Sequence, residues 1–144
     1  MRALILAVFV ALPSSALANP QADAIPDGPK ITLQKLGVVR DLRCQKLQQA
    51  HDAKVQADIA RGEITSVRPN DRLFATRKVG DAEGKRAGYF EEAGRLRRRL
   101  EAMAEKFTAA KRKEWYAIED EAERIRIEEL IIASKDIVER ECGE

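Results

Sequence analysis

From Asp81 to Cys142 the chain runs without a proline and keeps apolar residues at helical spacing for most of its length. The stretch is rich in Ala, Glu, Arg, Lys, Leu and Ile, which lose little freedom in a helix. Phe90, Ala93, Leu96, Leu100, Met103, Phe107 and Ala110 step by threes and fours, the spacing of a coiled-coil seam. Further on, Glu114 and Glu121 fall on apolar heptad positions. The seam shifts to Ile118, Ala122, Ile125 and Ile132, a four-residue stutter that locally unwinds a supercoil. This reads as one very long helix over about residues 82–142, or two helices with a tight break. No Gly or Pro marks such a break between Leu96 and Cys142, which favours the single helix.

Upstream, Leu36, Val39, Leu42, Leu47, Ala50, Ala57 and Ala60 form one face of a helix over about 31–61, with Gly62 as its stop. Residues 62–80 read as a loop, given the turn signal Pro69-Asn70-Asp71. Gly80, Gly84 and Gly88 weaken the start of the long helix. Charged residues make up 35% of the chain and aromatics 5%, a balance that suits long solvated helices with narrow apolar seams. The expectation is an all-α fold: residues 30–144 as a single domain, an elongated helical hairpin or coiled coil with one very long C-terminal helix.

The N-terminus carries a different signal. Arg2 precedes the apolar run Ala3–Leu12, followed by Pro13-Ser14-Ser15 and the small-x-small box Ala16-Leu17-Ala18. That order is the pattern of a cleavable signal peptide over residues 1–18, and the run is too short to span a bilayer. Residues 19–29 hold three prolines and a glycine without periodicity, which suits a flexible leader. A bacterial periplasmic or secreted protein is expected, with no integral membrane span in the mature chain. A net charge of +2 is no nucleic-acid footprint.

Export makes Cys44 and Cys142 a disulfide before anything else. In a straight hairpin Cys44 lies about 27 Å from the bend and Cys142 about 92 Å. A disulfide needs Cα atoms within about 7 Å, so a straight hairpin cannot close it within one chain. Two resolutions remain. In one, the long helix breaks and folds back into a three-helix bundle, for which no Gly or Pro gives a signal. In the other, which is the expectation, an antiparallel homodimer forms two reciprocal bridges. Its crossing falls near the change from the basic stretch Arg95–Lys113 to the acidic stretch Glu114–Glu129.

Chemistry is sparse. His51, the only histidine, has Leu47, Gln48, Lys54 and Val55 as its helical neighbours, none of them a metal partner. No nucleophile motif is present, and no cofactor or metal is expected. Arg95, Arg97, Arg98, Arg99, Lys111, Arg112, Trp115 and Tyr116 combine arginine with aromatics, the composition of a binding hot spot. The favoured reading is therefore a non-enzymatic exported protein that binds another protein of the cell envelope as chaperone, adaptor or assembly component. The repeated Leu-Thr-x-x-Gln motif of exported helical-hairpin chaperones is absent. Two alternatives stand beside it. One is a small all-helical enzyme of chorismate-mutase type, with an anion cage drawn from Arg40, Arg43, Lys54, Arg61 and Arg72. The other is a binder of an anionic envelope polymer or lipid through Arg95–Arg99.

Overall fold

The structure, a computed structural model, describes residues 30–143. The signal peptide and leader expected over residues 1–29 lie outside the described residues. Three helices follow: α1 (Leu33–Ser66), α2 (Arg72–Ala117) and α3 (Glu121–Glu139). A 3₁₀ turn at Pro69–Asp71 joins the first two.

Thr32 starts α1 by accepting a hydrogen bond from the Lys35 amide. The helix continues past Gly62 to Ser66, so the expected loop over 62–80 shrinks to the few residues around Pro69. α2 returns antiparallel along α1. Lys46 pairs with Glu92 at 2.6 Å, Arg61 with Glu83, and Glu63 with Lys78 at 3.2 Å. The Glu83 carboxylate raises the pKa of Arg61, chiefly through their hydrogen bond.

The single long helix expected over 82–142 is corrected by a break at Ile118–Asp120, and with it the simple hairpin or coiled coil. Three packed helices replace it. Neither Gly nor Pro is needed, because side chains supply both ends of the break. Ile118 leaves the helix with extended backbone, and its carbonyl accepts a 2.7 Å hydrogen bond from Arg124 Nε. Asp120 then caps α3, its carboxylate accepting from the Glu123 amide at 3.1 Å. Asp120 and Glu123 stand at capping-box spacing.

Folding back sets a new phase. Ile127 and Ser134 are buried on α3, with Leu130, Ile137 and Val138 packed inward. Ile125 and Ile132, expected on the seam, face outward instead. Ser134 lies close to α2; its hydroxyl bonds the Ile131 carbonyl at 2.7 Å and sits 3.4 Å from Thr108 Oγ1.

Two regions result. In the base, the first part of α1, the second half of α2 and all of α3 enclose Leu36, Val39, Leu96, Leu100, Met103, Ala104 and Phe107. Beyond them α1 and α2 continue as a two-helix arm whose buried seam is Ala50, Ala53, Ala57 and Ala60 against Ala75, Ala82 and Ala93. α1 beyond Leu47 adds about 30 Å of arm.

Cys44 and Cys142 are bonded within the chain, with Cα atoms 5.3 Å apart. Return of α3 brings the second cysteine to the level of the first, so the geometric reason for reciprocal bridges between two chains disappears. Arg40 reinforces this junction, donating to the Glu141 carbonyl at 3.0 Å. No helix among the described residues is long and apolar enough to cross a membrane.

Candidate functional site

Among the expected binding residues, Trp115 and Tyr116 sit at the corner between α2 and α3. Trp115 Nε1 donates to Glu128 at 3.1 Å, and the Arg124 guanidinium lies 4.8 Å from the Trp115 ring. Tyr116 meets that ring edge-on with centroids 5.2 Å apart. Trp115 thus staples the chain's own turn, where the sequence suggested a crossing between two chains, while Tyr116 is largely exposed.

The remaining expected cations do not form one surface. Arg95 pairs with Glu91 at 2.6 Å and Arg97 with Glu101 at 2.9 Å, each one turn away on the same helix. Arg99 also has a partner. Lys111 bonds Glu114 at 2.7 Å and lies beside the Phe107 ring, while Arg112 lines a cleft between α2 and α3. Arg98 is exposed on α2.

Nor do the candidate cage residues converge. Arg40 holds the disulfide junction, Arg61 pairs with Asp58 and Glu83, and Arg72 stands at the far end of the arm. Arg40 and Arg61 alone lie roughly 32 Å apart along α1. Among the described residues no group of three His, Cys, Asp or Glu side chains is placed to hold a metal ion.

Two features that the sequence did not single out stand at opposite ends of the molecule. At the base, the start of α1 meets α2 and α3 around a groove of about 660 Å³. Ile31, Leu33, Phe107 and Leu130 give it an apolar lining; Lys30 and Lys106 add positive charge at its rim, where Lys111 is paired with Glu114. Phe107 belongs to the apolar periodicity of α2, but only the break at Ile118 brings Leu130 into the same groove.

At the other end, Leu73 and Phe74 in the first turn of α2 are each 65% exposed. Helical side chains lean toward the N-terminus of their own helix, so both lean toward the tip. Arg68, Arg72 and Arg77 surround them, and none makes an ion pair among the described residues. Lys78, 5.4 Å from the Phe74 ring, pairs with Glu63; Asp71 precedes Arg72, and Asp81 stands one turn beyond Arg77. Three arginines interleaved with Leu-Phe, in a chain otherwise near charge balance, were the readable signal.

Comparison with protein-family models, curated proteins and solved structures finds no match for this chain.

Proposed function

We propose that this chain is a non-enzymatic helical protein, exported by residues 1–18, that binds another protein of the bacterial cell envelope as chaperone, adaptor or assembly component. The base groove is the observation that carries the reading. It combines an apolar floor large enough for several side chains with lysines at its rim. That combination selects an apolar segment flanked by acidic residues, and the Cys44–Cys142 bridge holds the surrounding helices in place for it.

A photo-activatable side chain at position 106, on the groove rim, tests the assignment in the exported protein. The expected result is a discrete cross-linked protein adduct that disappears when Ala110→Arg fills the groove. An unchanged adduct pattern in the filled variant, with the fold intact by circular dichroism, would sink the reading. The anion-cage alternative is not carried forward, because its cations are dispersed along the molecule.

A further inference from the structure

We propose that the arm tip is a docking site for an anionic phospholipid surface. The inference is independent of the groove and adds a second binding end to the molecule. Leu73 and Phe74 are adjacent, 65% exposed and directed toward the end of the arm, whereas the seam beneath them is closed with alanine. Contiguous bulky apolar residues at an exposed end mark an interaction surface.

Charge identifies what covers it. Arg68, Arg72 and Arg77 have no ion pair among the described residues and outnumber Asp71 and Asp81 around this apolar point. Bulky apolar side chains entering the headgroup boundary, with guanidinium groups held at phosphate level, match the two layers of an anionic bilayer surface. The cationic stretch Arg95–Arg99, first considered for this role, is poorer in free charge because Arg95, Arg97 and Arg99 are engaged. With the tip at the lipid surface and the arm upright, α1 sets the base groove off by about 50 Å. A bound partner would then be held at that distance from the membrane.

Flotation of the oxidised mature protein with vesicles tests this directly. Phosphatidylethanolamine vesicles containing phosphatidylglycerol are compared with phosphatidylcholine vesicles. The expected result is binding to the anionic vesicles only, weakening as salt is raised. Leu73→Ser and Phe74→Ser should each weaken partitioning about tenfold. Arg68→Ser, Arg72→Ser and Arg77→Ser should each weaken it about fivefold. Val55→Ser with Ile59→Ser, exposed farther down the arm, should leave binding unchanged. Circular dichroism and hydrogen exchange across Ala50–Ala93 show that each variant keeps its arm.

Equal binding to both vesicle types, no binding of the wild type, or full binding by the folded Leu73→Ser/Phe74→Ser variant would overturn the proposal. So would tip substitutions that abolish a protein cross-link while leaving flotation intact, since the tip would then be a protein-docking surface. Ala110→Arg, which fills the base groove, should not alter flotation, so failure of either end is read separately.

Discussion

The base and the arm share two helices, yet they hold those helices together in different ways. Base packing uses Leu36, Val39, Leu96, Leu100, Met103 and Phe107, a third helix and a covalent bridge. The arm uses seven buried alanines, with ion pairs such as Arg61–Glu83 and Glu63–Lys78 along its flanks. Each large side chain fully buried in the base contributes about 1.5–3 kcal/mol, and an alanine methyl far less. Exposed ion pairs such as Glu63–Lys78 add at most about 1 kcal/mol each. Alanine does offer close approach of the two backbones, and hence a slim limb. Stability is thus concentrated in the base, while Leu73 and Phe74 remain exposed at the far end of the arm.

The largest effect should come from the bridge. Cys44→Ser opens a covalent loop between cysteines 98 residues apart and should cost about 4–5 kcal/mol, measured as a fall in the urea midpoint. An unchanged midpoint would show that the base holds α3 without it. Next, Leu100→Ala removes a side chain that is almost fully buried at the centre of the base and should cost about 3–5 kcal/mol. If it cost no more than a substitution on the arm surface, the contrast between the regions would fail.

Overpacking the arm should be smaller and local. Ala57→Leu places a bulky side chain in a seam with no room for it, costing about 1–3 kcal/mol. Hydrogen exchange should quicken between Ala50 and Ala93 and stay unchanged around Leu100. Quickening in both regions would mean that arm and base open as one unit. The smallest effect should be a gain. A Cβ at Gly84 or Gly88 meets nothing within 4 Å, so Gly84→Ala and Gly88→Ala should each stabilise the arm by up to about 1 kcal/mol. Slower arm exchange at constant base protection is the readout.

Much of this contrast was legible in the residues. Of the periodic positions, Leu36, Val39, Ala50, Ala57, Ala60, Ala93, Leu96, Leu100, Met103 and Phe107 are buried and Leu42 and Leu47 half-buried. Phe90 and Ala110, expected on the seam, are exposed; the cysteines are bonded. What failed was continuity. Reading the helix straight through Ile118–Asp120, with a four-residue stutter to gather the apolar residues beyond it, placed Ile125 and Ile132 inside. The phase of α3 is set instead by its own start at Asp120. Asp120 and Glu123 hold capping-box spacing inside a run of helix formers, where that spacing alone does not mark a start, and long-range packing of Leu130, Ile137 and Val138 favours the bend.

Gly62 misled in the opposite direction. A glycine inside a helix costs about 1 kcal/mol, and α1 carries it while Ala57 and Ala60 are packed against α2. The candidate sites were less legible still. The groove needs the bend, and exposure of Leu73 and Phe74 depends on where the alanine seam leaves off. Neither follows from local spacing.

The position of the bridge also determines what a protease can do to the molecule. Every residue of the arm lies between Cys44 and Cys142, so a single cut at the tip, after Arg68 or Arg72, severs the polypeptide without liberating a fragment. Both pieces stay tied through the base, each keeping one helix of the arm, and separate only when a reductant opens the bond. For a limb that presents three arginines at its tip, a nick is survivable damage: the clipped protein keeps its connected form, and its cut shows only on a reducing gel.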